Sequence, residues 1–233
     1  MSLLGTAAMV AWHNLESGRE AEHDCWHSRE HLSERVGIEG FRRGRRGVAG
    51  DSAARERYFL MYEVDDLSVL TSEAYLDRLN HPSPWSQQVI PTICDMTRTL
   101  CRVRASIGDG VGGWVSTLRF GVSTEHRERL IQAAVDSIVR SLTKEEGVIA
   151  AHLLEGDKEG SGLKTEEKRL RGVSDAVADL VLMTEGYDEA SVRASLIAET
   201  LESRLRELGV DGELILGVYQ TRHVVSEADL ANG

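Results

Sequence analysis

The sequence predicts an α+β chain built from two successive β-α-β-β-α-β units, each a four-stranded antiparallel sheet with two helices on one face. Three observations lead there. Short apolar or alternating segments interleave with segments at three-and-four spacing. The order recurs, with Gly147 standing where Gly37 stood, 110 residues earlier (147 − 37). Each sheet then keeps one uncovered apolar face, so the two units are expected to pack sheet to sheet.

TAAMVAW (6–12) is short and apolar and leads into His13 and Asn14, a strand whose end is polar. From Ser17 the spacing turns helical, with Trp26, Leu32 and Val36 as the apolar stripe and Gly37 as the stop. GFRRGRRGV has no such stripe and suits a strand that turns at Gly50 and Asp51. A period of two places Phe41, Arg43 and Arg45 on one face and Arg42, Gly44 and Arg46 on the other. One arginine face therefore points inward and requires an anion. YFLMYEV (58–64) is rich in aromatic and branched residues, the strongest strand signal in the chain. DLSVLTSEAYLDRLN (66–80) is helical with Asp66 as its cap. Past the HPSPW loop, RTLCRVRAS closes the first unit, and the Gly-rich SIGDGVGG (106–113) is the expected linker. The units are thus 1–107 and 108–233.

The second unit runs through GWVSTLRFGV, TEHRERLIQAAVDSIVRSL, GVIAAHLLEGD, ADLVLMTEGYD, SVRASLIAETLESRLRELG and ELILGVYQTRH. Between its second and third strands, the polar DKEGSGLKTEEKRLRGVSD reads as a mobile loop.

Hydrophobic residues make up 41% of the 233 and charged residues 28%, which implies a folded core and excludes a disordered chain. Lys plus Arg number 27 against 38 Asp plus Glu, a net charge of −11 that speaks against nucleic acid and anionic membranes as partners. No apolar run approaches the roughly 20 residues needed to span a bilayer, and the opening lacks the basic start of a secretory signal. Cys25, Cys94 and Cys101 are odd in number and scattered, which suits reduced thiols. A cytoplasmic protein is expected.

HDCWHSREH (23–31) carries the chemistry. His23, His27 and His31 stand four apart and drift by roughly 40° per step on a helix, so neighbours share a face. HSREH also matches the H-x-x-E-H pattern of zinc proteases, but a third ligand is not apparent, and neither a metal nor another cofactor is expected. On a purely structural reading His23 lies in solvent. His27 or His31, oriented by Asp24 or Glu30, is a candidate general acid or base, and Arg35 a candidate clamp for a substrate carboxylate. His13, Asn14, Trp26, Arg46 and Trp85, the last in the stiff HPSPWS loop, complete the candidate ligand contacts. The competing reading is structural, with the imidazoles only holding strands and loops by hydrogen bonds.

Asp24, Trp26, His27, Glu30, His31, Arg35, Gly40 and Phe41 form a helix-to-strand pattern that resembles the EthD-like and uncharacterised branch of the dimeric α/β barrel superfamily of ferredoxin-like domains. The likeness continues through YFLMYEVDDLSVLTSEAYLDRLNHPSPWS and covers most of residues 8–105; the second half matches by element order alone. The resemblance implies two tandem ferredoxin-like repeats closed into a single-chain dimeric α/β barrel, an intramolecular pseudo-dimer with one functional and one degenerate half. Open sheet edges or free helical faces would serve any further homo-oligomer. Members include monooxygenases, isomerases, haem-degrading enzymes and proteins without a known reaction. The expected function is binding, with or without transformation, of a small aromatic or acidic organic molecule without a tightly held cofactor. The alternatives are a non-catalytic binding or assembly protein, and a haem or metal protein ligated by His27 or His31.

Overall fold

The computed structural model describes residues 3–51, 54–172 and 174–231. The first half comprises β1 (Ala7–Leu15), β2 (Phe41–Ala49), β3 (Tyr58–Val64) and β4 (Ile93–Gly108), and the second β5 (Trp114–Val122), β6 (Val148–Asp157), β7 (Leu180–Gly186) and β8 (Val210–Ser226). The eight strands pair antiparallel and close into one barrel in the order β1-β3-β2-β8-β5-β7-β6-β4. Each half contributes the same internal order, so the two ferredoxin-like sheets face one another and are stitched edge to edge by β2–β8 and β4–β6. Among the described residues, closure leaves no open sheet edge.

Alternation along β1 shows how this produces two cores. Ala8, Val10 and Trp12 point into the barrel with Phe59, Met61, Met183 and Tyr219. Met9 and Ala11 point outward to the helices. The barrel interior also holds charge. Arg45 donates to Glu185 of the other half at 2.7 Å and lies 3.4 Å from Glu63, while His152 sits 3.1 Å from the same Glu185. Arg119 stacks over Trp12 and bonds Glu56.

On the outer face of the first sheet lie α1 (Glu20–Trp26), a wide turn (His27–His31) and α2 (Leu32–Val36), which together form one continuous helix, and then α3 (Glu73–Asn80) and α4 (Pro84–Val89). Ser72 and Ser83 cap α3 and α4. On the second sheet lie α5 (Thr124–Ala133), a matching wide turn (Ala134–Ile138), α6 (Val139–Leu142), α9 (Glu189–Ile197) and α10 (Glu199–Glu207). The short α11 (Glu227–Leu230) follows β8. Among the described residues no helix is long and apolar enough to cross a membrane.

Three expectations need correction. Phe41 does not share a face with Arg43 and Arg45: a bulge between Phe41 and Arg43 turns its ring outward onto Tyr62 and Tyr75, while the two arginines keep to Glu63. SIGDGVGG is not wholly linker, because β4 continues to Gly108 in order to pair with β6. The polar insertion is structured as α7 (Lys158–Ser161) and α8 (Glu166–Arg171). It is sewn to the first half by backbone bonds of Ala176 with Arg98 and Met96 and by the Ser161 hydroxyl on Leu100. Val173 lies outside the described residues.

Gly44 explains the break in the arginine run. A Cβ there would stand 2.7 Å from Leu32 and 2.9 Å from Val36, so the absent side chain lets the helix lie against the sheet. Gly44→Val is expected to lower stability by about 1–3 kcal/mol through overpacking, read as a lower midpoint in urea denaturation.

Candidate functional site

The wide turn in the first helix is closed by a bond from the Leu32 N–H to the His27 carbonyl, five residues back. Such a turn holds more than four residues, so side chains four apart stand nearly above one another. His23, His27 and His31 accordingly form a row, with ring centroids 5.8 and 5.5 Å apart, against the outer face of the sheet. His13 joins from β1, stacked on Tyr58 at 5.0 Å and 7°. All four are buried, so the expectation that His23 lies in solvent is wrong. Its neighbours Trp26 and Tyr58 enclose it.

Hydrogen bonds set the tautomers. His23 Nδ1 lies 3.3 Å from Asp24 and Nε2 lies 3.2 Å from His13 Nε2. With Asp24 ionised, His23 donates from Nδ1 and accepts at Nε2 from the His13 Nε2–H. His13 Nδ1 is then a bare acceptor, and it has no partner. The Tyr62 hydroxyl faces His27 Nε2 at 3.4 Å, while the Nδ1 atoms of His27 and His31 are also unpartnered. Burial, reinforced by neighbouring cations, pushes the pKa of His13, His27 and His31 well below the usual imidazole range. His23 is lowered less, because the Asp24 hydrogen bond opposes burial. Burial also lifts the Tyr58 hydroxyl to about 12 and Tyr62 further. The cluster is neutral at pH 7.

Beside the row is a narrow cavity between sheet and helices. Met9, Leu60, Leu79, Ile90, Ile93 and Met96 make it apolar, and Trp26, Tyr62 and Tyr75 make it aromatic. His23 and His31 are its imidazoles. One end is charged by Arg35, Arg98, Glu167 and Arg171. Two of these come from α8, so the second half roofs a cavity of the first. Arg35 donates to Glu167 in a pair that is almost wholly buried, and Arg171 pairs with Asp175 at 2.7 Å.

The second half supplies an internal control. β1 and β5 both have nine residues and begin 107 apart (114 − 7), and the two wide turns also begin 107 apart (134 − 27). At that offset His13, His23, His27, His31 and Arg35 correspond to Phe120, Leu130, Ala134, Ile138 and Leu142. These five belong to the apolar core under α5 and α6. The fold therefore does not require polar residues at these places.

The nine candidate residues separate into three groups. His31, Trp26 and Arg35 line the cavity. His13, His27, Asp24 and Arg46 stand behind it: Arg46 donates to the Asp24 backbone carbonyl at 3.1 Å, and Asp24 holds His23. Asn14 and Trp85 do not line it. Asn14 pins the loop before β3 through Arg55 and Arg57, and Trp85 packs at the edge of the apolar core. Glu30 accepts from Ser83 and Ser86 rather than orienting a histidine. Arg35 already holds an internal carboxylate. Sequence reasoning missed Tyr62, Tyr75, Arg98, Glu167 and Arg171, and the excess of charge in EEKRLR was the signal in α8. Among the described residues no group of three or more His, Cys, Asp or Glu converges to hold a metal ion.

Two outcomes are expected. Glu167→Ala leaves Arg35 buried and unpaired and costs about 3–5 kcal/mol, whereas Arg35→Leu with Glu167→Leu recovers most of it; urea denaturation of the three variants checks this. The second concerns pH. A histidine whose folded pKa lies below its ordinary value near 6.5 binds a proton more readily when unfolded, so stability is intact above that value and is lost as pH falls through it. Denaturation midpoints should be flat from pH 8 to 7 and then fall, with each buried imidazole contributing up to about 1.4 kcal/mol per pH unit. His27→Ala should shallow that slope.

No family model and no curated relative matches the sequence. Solved structures do match, over nearly the whole chain. An anthrone oxidase-like protein superposes with a TM-score of 0.68 at 12% identity, over 95% of this chain and 93% of that one. A Fusobacterium nucleatum protein provisionally described as a monooxygenase gives 0.60 at 12%, over 97% and 96%. A regulator of staphylococcal pathogenesis gives 0.52 at 8%, over 92% and 98%. Such likenesses establish fold, and proteins with these different descriptions share it. By its closed barrel of two ferredoxin-like sheets and by these neighbours, the chain has the fold of the dimeric α/β barrel superfamily.

Proposed function

We propose that the first half is a cofactor-independent enzyme site that binds a small aromatic molecule with an acidic C–H or O–H and removes that proton onto a neutral imidazole, His31. One observation carries the reading: five polar side chains fill places where the second half has apolar ones. Burying imidazole without a full set of hydrogen bonds costs stability, and a fold that manages without it retains it for chemistry. His31 lines the cavity, is unpartnered at Nδ1 and is uncharged near neutral pH, as a proton acceptor must be. Trp26, Tyr62 and Tyr75 suit a flat ring.

The bond to hydrogen breaks, its proton passes to His31, and its electron pair remains on the substrate as an enolate or phenolate. Returning the proton to another carbon isomerises the molecule. With dioxygen as co-substrate, the carbanion adds O₂ and a proton to give a hydroperoxide, which loses water to leave a ketone. The description of one neighbour as anthrone oxidase-like supports anthrone as the first compound to try. The EthD-like pattern of the first helix supports the same branch, and the matched strand orders support two copies of one unit divided at 107/108.

His27→Ala with His31→Ile installs the residues of the second half. This variant is expected to melt at or above the wild-type temperature. It should lose at least about 100-fold in deuterium exchange or oxidation of anthrone in metal-free buffer, followed by NMR and absorbance. Unchanged turnover in the variant would remove His31 from the reaction. A ligand that binds both proteins equally, without turnover by either, would favour the non-catalytic binding protein.

A further inference from the structure

The charged end of the cavity is unbalanced. Arg35, Arg98 and Arg171 meet there with Glu167 and, on Arg171, Asp175, which makes three guanidinium charges against two carboxylates. The surplus cation is Arg98. Among the described residues no carboxylate pairs with it, and its Nη2 donates to the Tyr75 hydroxyl at 2.8 Å. Tyr75 is shared by two arginines, since the Arg35 guanidinium lies over its ring, 6.0 Å from the centroid. Arg35 is spent on one side only: Nη2 holds Glu167, while Nη1 is buried without a partner. Because Tyr75 accepts from Arg98, its own hydrogen is free to donate.

We infer that Arg98, with Arg35 Nη1 and the Tyr75 hydroxyl, forms an oxyanion seat, and that the cavity takes an aromatic molecule carrying negative charge on oxygen. The seat deepens the reading above and rests on it, because it faces the same cavity as His31. Arg35 is not the whole clamp that the sequence suggested, since Glu167 occupies half of it. The free half and Arg98, which follows an ordinary strand pattern, supply the donors. A planar guanidinium favours an oxygen anion over a neutral carbonyl. A carboxylate present on the ligand and an enolate or phenolate made in the cavity satisfy the same donors.

Benzoate, benzamide and 4-nitrophenol, added to the full chain, separate these cases. In calorimetric titration benzoate is expected to bind at least about ten-fold more tightly than benzamide, which has the same shape without the charge. In mildly acidic buffer 4-nitrophenol should bind as its yellow anion if the seat favours an oxyanion made in place. Either result supports the seat. Arg98→Met should abolish both preferences, and Arg98→Lys should restore part of them. If the variants do not fold, the wild-type comparison decides alone. Equal binding of benzoate and benzamide, with 4-nitrophenol bound colourless, overturns the seat and leaves the cavity reading intact. Binding of none of the three overturns both.

Discussion

Everything particular to this protein follows from the cost of burying imidazole and guanidinium groups between a helix and a sheet. In an apolar interface a charged imidazole is untenable, so His13, His27 and His31 stay neutral and keep nitrogens that lack partners. Arg35 cannot shed its charge and therefore needs a carboxylate. Among the described residues no carboxylate of the first half forms an ion pair with it. The carboxylate comes from Glu167 on α8, 132 residues further along the chain. An insertion that would otherwise be a polar loop is thereby ordered as a roof.

Beyond the strand pairing of β2 with β8 and β4 with β6, the two halves are bound to each other inside and outside the barrel. Inside the barrel, Arg45 from β2 meets Glu185 from β7, and the same carboxylate accepts from the Gly112 N–H between the halves. Two hydrogen-bonded cationic and polar neighbours hold Glu185 well below the usual carboxylate range despite its burial. Outside the barrel, α7 and α8 of the second half reach over the first. The interior joint follows from closing the barrel. The exterior one serves the cavity.

What the sequence disclosed and withheld follows the range of each signal. Strand alternation and helical spacing are local, so the order of elements, the repeat and the row of imidazoles could be read directly. The glycine offset of 110 hid the true correspondence of 107 in the first strand and helix, because three additional residues precede Gly147. With the shorter offset, His13, His23, His27, His31 and Arg35 fall opposite five apolar residues, a contrast that was present in the sequence throughout. The burial of His23 depends on its enclosure by Trp26 and Tyr58, and the wide turn at His27–His31 is invisible to periodicity. Arg98, Glu167 and Arg171 depend on contacts between distant segments, which spacing does not encode.

A symmetric dimer of this fold would carry two equal cavities, each with its own row of polar groups and the same burial cost. A single chain removes that constraint. One half can fill its helix-to-sheet space with Leu130, Ala134, Ile138 and Leu142, as any stable core does, and hold the barrel closed. The other half can then keep buried groups that weaken it, because the barrel does not depend on both sides equally. A single chain also allows an insertion in only one half, so Glu167 and Arg171 roof a single cavity where a symmetric dimer would have to place them twice. The apolar filling of the plain half is thus what permits buried polar groups in the other, and the asymmetry between them is what sets the cavity of the first half apart.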